Sequence, residues 1–314
     1  MGIPKLNKLL LEKCNDTNHI HKMHLKELSG KTIVIDTSIY LYKFSLQNRL
    51  IENFYLLISL FNYYNIVPVF IFDGKPPPEK KDLLDKRKIN KKAAEFKYDK
   101  LKSQLCEEQL TNQQRIEINK EMEKLQKDFI RIKDCHIKSI QELLSYYGIT
   151  YYTCEGEADL LCCKLVLSGE AWACLSDDMD LFVYGCTRIL RYISILNATV
   201  LYYDTNEIFK TIDTPLDDFK KIISLSGTDY NLERNINIHK CFDYYYKYKE
   251  EVTDTEDFYD WLKKKKIIEN VDELRDITKL FDTTVNIDNE KIENKKDLMK
   301  LISFLTENDF VFIS

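Results

Sequence analysis

Three aspartates lie within four positions in the segment LSDDMDLFVYG, residues 175–185. Asp177, Asp178 and Asp180 follow the apolar stretch AWACL and precede the apolar stretch LFVYG. In an extended chain, the Cα atoms of Asp178 and Asp180 would lie about 6 to 7 Å apart, with both side chains on one side. Crowded carboxylates do not stay ionised without compensating charge, and bound divalent cations are the simplest compensation.

Three further segments have the same pattern, in which a short apolar run is followed directly by one or two acidic residues. KTIVIDTS (31–38) ends in Asp36, IVPVFIFDG (66–74) ends in Asp73, and GITYYTCEGE (148–157) ends in Glu155 and Glu157. A single Asp at a strand end is usually a turn residue or a helix cap, but four strands that agree call for another explanation. Oxygen ligands favour Mg²⁺ or Mn²⁺ over zinc, and six or seven carboxylates suit a pair of ions.

The elements that must position these side chains follow from the pattern around them. The apolar runs are short and unalternating, as in strands that are covered on both faces. Between them lie helix-length segments, residues 45–65, 104–147 and an amphipathic stretch from Ala158 to Val166 that Gly169 ends. Alternating strands and helices predict an α/β fold with a mostly parallel central sheet. Ligand sites in such folds lie beyond the carboxyl ends of the strands, where the carboxylates would meet.

Composition excludes several protein classes. With 314 residues, 44% of them hydrophobic, the chain can bury a sizeable core as one large domain or two closely joined ones. Neither a secretory h-region nor a long uncharged apolar segment occurs, so neither export nor a membrane partner is predicted. The nine cysteines are scattered without C-x-x-C, which indicates reduced core residues and neither a disulfide framework nor a zinc site.

Charge is distributed unevenly along the chain. The formal net charge of -5 argues mildly against binding to nucleic acid. Residues 79–103, however, hold ten Lys or Arg against five Asp or Glu. Taken alone, such a run is typical of a solvated helix face.

Six segments together resemble the flap endonucleases of the XPG-type structure-specific 5′ nucleases: MGIPKL, VIDTSIYLYKF, VFIFDGKPPPEKKDLLDKR, CEGEADLLCCKL, LSDDMDLFVYG and LSGTDYN. They occur in the family's order. The resemblance implies a PIN-like nuclease core over residues 1–230 with a helical arch inserted at about 79–134. It also implies a C-terminal helical region over 231–314, with a helix-hairpin-helix-like DNA-binding motif at about 222–250.

The resemblance assigns seven metal-binding carboxylates, and all seven positions are acidic here. One Mg²⁺ would be surrounded by Asp36, Asp73, Glu155 and Glu157, and a second by Asp178, Asp180 and Asp229, with Mn²⁺ able to substitute. Asp159 and Asp177 have no counterpart in this set, and we interpret them as solvated acids or as acids behind the ligands.

The resemblance also gives the basic run a role. Lys80 and Arg87 match the arch residues that engage the scissile phosphate, and their i, i+7 spacing places both on one helical face. Lys91 lies close to that face and is a candidate DNA-binding residue. Tyr42 matches an aromatic residue that stacks on a base near the cut, the alternative being ordinary helix packing. Gly2 would become the amino terminus and pack near the DNA path.

Three departures from the family pattern affect the expected substrate. Asp36 and Asp73 are only 37 positions apart, so the loop that wedges the upstream duplex and helps to bind a 3′ flap is shortened. Asp73 and Glu155 are 82 positions apart, which predicts an arch that is present and extended. Asn235 and Asn237 replace both glycines of the hairpin that holds duplex DNA and a K⁺ ion, and Asn tolerates the left-handed turn. His239 and Lys240 would contact phosphate at the start of the next helix.

The predicted function is hydrolysis of phosphodiester bonds in branched or 5′-ended DNA, in replication, repair or recombination. Three alternatives remain at this point. The first is a 5′ to 3′ exonuclease of the same family, which the segments LSGTDY and YGC resemble. The second is an inactive DNA-junction binder, but such a protein would not need seven intact acids. A haloacid dehalogenase-type phosphatase would need a second Asp in IDTS.

The predicted partner is DNA carrying 5′ flaps, 5′ ends, nicks or junctions. The segment FLTENDFVFIS carries no sliding-clamp motif, and we expect a monomer. The expected location is intracellular, in the nucleus or at a site of DNA replication, or in the cytoplasm for a viral protein.

Overall fold

An eight-stranded sheet forms the centre of the computed structural model, which describes residues 3–105, 110–231, 233–234, 236–252, 256–285 and 289–310. The strands are β1 Ile20–His24, β2 Thr32–Asp36, β3 Val67–Phe72, β4 Tyr151–Cys154, β5 Ala173–Leu175, β6 Arg188–Ser194, β7 Thr199–Asp204 and β8 Asn289–Ile292. The α-helices are α1 Leu6–Lys13, α2 Thr37–Ser45, α3 Leu50–Tyr63, α4 Lys81–Gln104, α5 Asn112–Phe129, α6 Asp134–Tyr147, α7 Ala158–Leu167, α8 Asp180–Tyr184, α9 Thr205–Thr211, α10 Leu216–Ser226, α11 Ile238–Glu251, α12 Phe258–Lys264, α13 Val271–Lys279 and α14 Leu298–Glu307. None of these helices is long and apolar enough to cross a membrane.

The strand order is β1-β7-β6-β5-β2-β3-β4-β8. The five strands from β6 to β4 are parallel, while β1, β7 and β8 add antiparallel pairs at the two edges. This confirms the predicted α/β class with a mostly parallel sheet. The four strands expected to deliver carboxylates are adjacent, in the order β5-β2-β3-β4, so their carboxyl ends lie side by side at one edge of the sheet.

Both faces of the central strands are covered, which explains their unalternating apolar sequence. In β2, Ile33 and Ile35 pack on one face with side chains of α2, α3, α6 and α14. Val34 points to the other face, with side chains of α1, α7, α8, α10 and α11. Full burial of one such aliphatic side chain stabilises the fold by about 1.5–3 kcal/mol.

Most of the described cysteines are buried, as predicted. All eight cysteines in the described residues are free thiols, and Cys135 is the exposed member of this set. The other seven fill space among apolar side chains on the α7 face of the sheet. They supply packing volume and no covalent link.

Helices α4 and α5 occupy the segment predicted to form the arch, and we call this helix pair the arch. With 24 and 18 residues, they are about 36 Å and 27 Å long at 1.5 Å per residue. Only Leu83 and Ala94 of α4 are buried, and none of the described side chains of α5 is. Tyr98 and Phe129 join the pair, with ring centroids 5.1 Å apart. The arch is therefore held mainly by the contact of its two helices and by its base.

The C-terminal segment returns to the nuclease sheet. After α11, α12 and α13, strand β8 pairs with β4, and α14 packs against α6 on the opposite side of the molecule from α11. The predicted domain boundary between residues 230 and 231 stays a prediction. Strand β8 lies beyond this boundary and still pairs with β4 of the nuclease core.

Candidate active site

Asp36 lies at the end of β2 and is both a helix cap and a member of the carboxylate cluster. Its Oδ1 accepts a hydrogen bond of 3.2 Å from the Ser38 amide in the first turn of α2. Its Oδ2 accepts one of 2.9 Å from the hydroxyl of Ser176, which follows β5. Asp36 is only 5% exposed. These bonds fix the carboxylate at the meeting point of two neighbouring strands.

The loops after β3 and β4 are fastened to each other. Asp73 Oδ1 accepts a hydrogen bond of 2.7 Å from the Ala158 amide at the start of α7. The Gly74 amide donates to the Gly156 carbonyl at 2.7 Å. A Cβ on Gly74 would lie 2.0 Å from the backbone oxygen of Cys154, so only glycine permits this approach. Asp73 is thereby held beside the segment that carries Glu155 and Glu157.

The remaining acids lie after β5 and α10. The Asp178 amide donates to the Ser176 hydroxyl at 3.1 Å, and the Asp180 amide donates to Asp178 Oδ1 at 3.2 Å. Asp180 begins α8, is 3% exposed, and its Oδ1 is buried without a hydrogen-bond partner among the described residues. Asp229 follows α10 and faces the arch, where Arg87 reaches it.

Several of the carboxylates lie close enough to repel one another. Burial raises the pKa of Asp36, and the nearby charges of Asp73 and Asp178 raise it further. Burial also raises the pKa of Asp180, with added repulsion from Asp178, Asp229 and other acids. The pKa of Glu157 is raised by burial, against the opposing effect of Lys80. Glu155 is exposed at the rim of this cluster.

Two cations from the base of the arch enter the cluster. Lys80, 7% exposed, donates a hydrogen bond of 2.7 Å to Glu157 Oε1, and Arg87 Nη2 lies 3.1 Å from Asp229 Oδ2. Burial alone lowers the pKa of Lys80, but Glu157, with smaller effects from other groups, raises it above the usual lysine value. Lys80 ends a short 3₁₀ turn, Pro78–Lys80, before α4 begins, so the predicted continuous helical face is wrong for this residue. The prolines Pro76, Pro77 and Pro78 disfavour helix at the residues before them, which explains why no helix begins earlier.

The donor set fits hard divalent cations. Within the described residues, no three His, Cys, Asp or Glu side chains stand in a geometry that by itself encloses a metal ion. Glu157 and Asp229 are turned toward Lys80 and Arg87 instead. All the clustered donors are oxygen atoms, and the buried Oδ1 of Asp180 lacks a partner that a cation would supply. The cluster therefore suits Mg²⁺ or Mn²⁺, and the division of seven ligands between two ions stays a prediction.

The structure distinguishes the two acids without an assigned role. Asp177 Oδ1 accepts a hydrogen bond of 2.7 Å from the Tyr192 amide, so this residue anchors β6. Asp159 is partly exposed, but its Oδ1 is buried without a hydrogen-bond partner in the described chain. Burial and then repulsion from Asp36 and other clustered acids raise the pKa of Asp159. Asp159 therefore lies next to the clustered acids, and its role behind the metal ligands stays a prediction.

Tyr230 is a site residue that the sequence argument did not single out. The Nζ of Lys80 lies over its ring at 5.0 Å from the centroid, and its hydroxyl is 3.4 Å from Glu157 Oε2. Tyr230 thus positions the Lys80–Glu157 pair from a third side. The sequence feature that could have indicated Tyr230 is its position directly after the predicted ligand Asp229.

Tyr42 and Lys91 meet at the foot of the arch. The Nζ of Lys91 lies 5.3 Å from the centroid of the Tyr42 ring, and the tyrosine is 38% exposed. The ring is therefore open to a base, while Tyr40 and Phe44 on the same helix are buried in the core. Stacking on DNA stays a prediction for Tyr42.

The hairpin candidates are placed only in part. Gly2 and Asn235 lie outside the described residues. Asn237 caps α11, its side chain accepting a hydrogen bond of 3.0 Å from the His239 amide. His239 Nε2 lies 3.8 Å from Glu12, and Lys240 lies over the ring of Tyr244. The predicted position of His239 and Lys240 in the first turn of a helix is correct, whereas their contact with phosphate and the K⁺ ion stay predictions.

Comparisons with known protein families agree with this geometry. The XPG N-terminal domain matches residues 1–94, and the XPG I-region matches residues 148–229. The two matches contain all seven clustered acids and the Lys80 and Arg87 positions. The chain belongs to the flap endonuclease/XPG family. This membership does not favour the phosphatase alternative, which also requires a second Asp that β2 lacks.

Individual members of the family are similar to this chain at moderate identity. Flap endonuclease 1 of Leishmania major is 30% identical over 252 residues, covering 73% of this chain and 60% of that protein. Flap endonuclease 1 of Methanococcus aeolicus is 27% identical over 235 residues, covering 69% of this chain and 68% of that protein. The chain thus spans about 60% of the length of several curated relatives.

Solved structures agree on the fold. Flap endonuclease-1 from Methanococcus jannaschii has a TM-score of 0.63 and 24% identity, over 95% of this chain and 93% of that one. The catalytic core of Rad2 in complex with DNA substrate has a TM-score of 0.62 and 22% identity, over 97% and 93%. At these identities the likeness shows a PIN-like nuclease fold of the XPG family.

Proposed function

We propose that this protein is a structure-specific 5′ nuclease that hydrolyses phosphodiester bonds in branched or 5′-ended DNA. The observation that carries the proposal is a cluster of six interacting carboxylates at the strand ends and after α10, with Lys80 and Arg87 of the arch in contact with it. The six are Asp36, Asp73, Glu157, Asp178, Asp180 and Asp229, and Glu155 lies in the same loop as Glu157. Carboxylates alone repel a phosphate, so an anionic substrate requires both cations in the cluster and the cationic arch beside it.

The ligand residues have distinct tasks in this proposal. Asp36, Asp73, Glu155 and Glu157 would hold one divalent ion, and Asp178, Asp180 and Asp229 a second. When bound, two such ions activate water and stabilise the leaving oxygen in phosphodiester hydrolysis. Hydrogen bonds from Ser38 and Ser176 orient Asp36, and the one from Ala158 orients Asp73. These carboxylates are therefore preorganised before substrate arrives.

Lys80 and Arg87 would exchange partners during the reaction. In the structure they neutralise Glu157 and Asp229. Once cations bind those carboxylates, the lysine and arginine are free to turn to the scissile phosphate, where their charges stabilise the developing negative charge. Tyr230 keeps Lys80 aligned during the exchange, since its ring lies below the ammonium group.

Other residues would position the DNA. Tyr42 offers an open ring for base stacking near Lys91. Asn237, His239 and Lys240 at the start of α11 would contact duplex phosphates, with the help of Gly2, Asn235 and a K⁺ ion. The partner is DNA with 5′ flaps, 5′ ends, nicks or junctions. We further propose a monomer that acts at a site of DNA replication or repair, in the nucleus or, for a viral protein, in the cytoplasm.

A matched set of labelled DNAs tests the proposal. Flap, nicked, gapped, overhang and four-way-junction substrates of one sequence are incubated with the protein and Mg²⁺. We expect cleavage near the junction of a 5′ single strand with duplex, and none of a blunt duplex of equal length. Equal cutting of every DNA, or cutting that persists with Mg²⁺ removed, would contradict it. A stepwise ladder from the 5′ end would favour the exonuclease form.

A further inference from the structure

A cavity of about 580 Å³ lies between α2, the base of α4 and the segment that ends α5. We call it the arch pocket. Six cationic side chains line it, namely Arg87, Lys88, Lys91, Lys92, Lys127 and Arg131. The rest of its wall is Tyr42, Leu84 and Ile130, so no acidic side chain is among the described residues that line it. Such a concave cationic surface focuses a positive field.

Most of this charge is uncompensated. Arg87 and Arg131 have acidic partners, Asp229 at 3.1 Å and Glu95 at 2.7 Å. No ion pair joins the four lysines to an acidic residue in the described part of the chain. Burial lowers the pKa of Lys91, and the charges of Arg131 and Arg87 lower it further. The pocket thus holds cations whose mutual repulsion an anionic ligand would relieve.

The wall also contains a surface for a base. The Tyr42 ring is 38% exposed, and Lys91 lies over it at 5.3 Å. A base stacked on an exposed aromatic ring contributes about 1–3 kcal/mol. Leu84, also partly open, and Ile130 supply apolar contacts on the same wall. A phosphate joined to a nucleoside matches this combination better than a free inorganic anion does.

We propose that the arch pocket binds the terminal phosphomonoester of a 5′-phosphorylated single strand, which rests on the nuclease function proposed above. A terminal phosphomonoester carries a charge of about -1.5 to -2 at neutral pH, whereas each internal diester carries a single charge. Four lysines that have no acidic partner among the described residues therefore favour the end group over an internal position.

The placement of the pocket has a consequence for the product. Arg87 lines the pocket and also contacts Asp229 of the carboxylate cluster. Lys91 lies one helical turn away, about 6 Å along the axis of α4. A stacked strand advances about 3.4 Å per nucleotide. A 5′ phosphate held in the pocket would thus lie about one to three nucleotides from the cut, so a short 5′-terminal product is expected.

Binding without divalent cations tests this proposal separately from cleavage. Fluorescence anisotropy is measured with tetrathymidylate labelled at its 3′ end, carrying either a 5′ phosphate or a 5′ hydroxyl, at fixed ionic strength near 0.1 M. We expect the phosphorylated strand to bind about tenfold more tightly. In the variant Lys92→Ala/Lys127→Ala, which removes two exposed cations from opposite walls, the two strands should bind alike.

The matched control is Lys120→Ala/Lys124→Ala, which removes two exposed charges of α5 that do not line the pocket. It should retain the tenfold ratio. Equal binding of both strands by the unaltered protein would overturn the proposal. The proposal would also be overturned if Lys92→Ala/Lys127→Ala kept the tenfold preference for the phosphorylated strand. A loss of this preference in the control variant that is as large as in Lys92→Ala/Lys127→Ala would overturn it too. None of these outcomes depends on nuclease activity. Failure of the pocket proposal can therefore be distinguished from failure of the proposed nuclease function, which the cleavage assay tests.

Discussion

Lys80 donates a hydrogen bond of 2.7 Å to Glu157 although 77 positions separate the two residues in the chain. One belongs to the base of the arch and the other to the loop after β4. A buried ammonium group with no counter-ion would be costly, so the pair fastens the arch to the strand ends. The same contact places a cation inside the carboxylate cluster, where the proposed function requires a substrate phosphate to enter.

Removing either arch cation should slow the chemical step. We expect Lys80→Met and Arg87→Met each to reduce single-turnover cleavage by a factor on the order of 10² or more, because an oriented charge on the reacting phosphate contributes several kcal/mol. The effect on DNA affinity should be much smaller. Rates at saturating enzyme, measured by rapid quench, separate the two quantities.

The control for that pair is Lys81→Met, which changes an exposed neighbour that has no ion-pair partner among the described residues. It should cut at nearly the normal rate. If Lys80→Met and Arg87→Met bind weakly yet cut normally once saturated, the two cations are a docking surface and take no part in the reaction.

Asp180 should couple stability to divalent cations. Bound Mg²⁺ at a hundred times its Kd adds about 2.7 kcal/mol to the free energy of unfolding. We expect Mg²⁺ to raise the Tm of the unaltered protein, because the buried Oδ1 of Asp180 has no hydrogen-bond partner among the described residues and a cation would supply one. The Tm of Asp180→Asn should rise far less, because the variant lacks this carboxylate. Asp180→Asn should bind DNA but not cut it.

Asp177→Asn is the matched control, because Asp177 anchors the Tyr192 amide instead of joining the cluster. Its Tm should respond to Mg²⁺ as the unaltered protein does. A Mg²⁺ response of equal size in Asp180→Asn, or normal turnover in that variant, would remove Asp180 from the metal site.

Gly74 should matter more for activity than for stability. A Cβ there would lie 2.0 Å from the Cys154 carbonyl, so Gly74→Ala must force the β3 and β4 loops apart, shifting Asp73 and Glu155. Overpacking of this kind costs about 1–3 kcal/mol. We expect cleavage to fall at least tenfold, measured beside the loss of Tm.

Gly169→Ala provides a variant with similar destabilisation at a different place. Gly169 has φ of +82° and open space around it, so alanine incurs only the left-handed backbone cost of about 1–2 kcal/mol. Its cleavage rate should be unchanged. If both glycine variants cut equally well, the fastened loops do not set the position of the carboxylates.

Local sequence was enough to predict the strand ends but not the contacts between distant segments. Six of the predicted carboxylates follow apolar runs, and both features can be read from a few neighbouring residues. The seventh, Asp229, is assigned only by the family resemblance. β8, with the sequence NEKI, is polar and exposed, so nothing local marks it as a partner of β4. The contact of Tyr230 with Lys80 depends on how α10 packs, and the inward turn of Asp159 depends on the whole cluster.

A cavity lies beside the connection between Asp36 and Asp73, which the family resemblance predicts to be shortened. α2 ends at Ser45 and α3 begins at Leu50, and the cavity of about 690 Å³ lies between this turn, α6 and the end of α14. The charged residues on its wall are Arg49, Glu52 and Asp309, with His136 nearby. Arg49 lies 3.5 Å from Glu52, so the positive charge is already compensated. The wall is therefore poorly suited to a phosphate.

A one-nucleotide 3′ flap should consequently give little advantage. We expect kcat/KM to rise less than about tenfold, or about 1.4 kcal/mol, when that nucleotide is added to a 5′-flap substrate. The two DNAs differ only in this nucleotide, and Glu52→Gln provides the decisive variant, because it frees Arg49 for a phosphate. A gain in double-flap preference in Glu52→Gln would show that compensation of Arg49 sets the low preference. A large preference in the unaltered protein that Arg49→Ala abolishes would instead show that residues 45–52 already form a 3′-flap pocket.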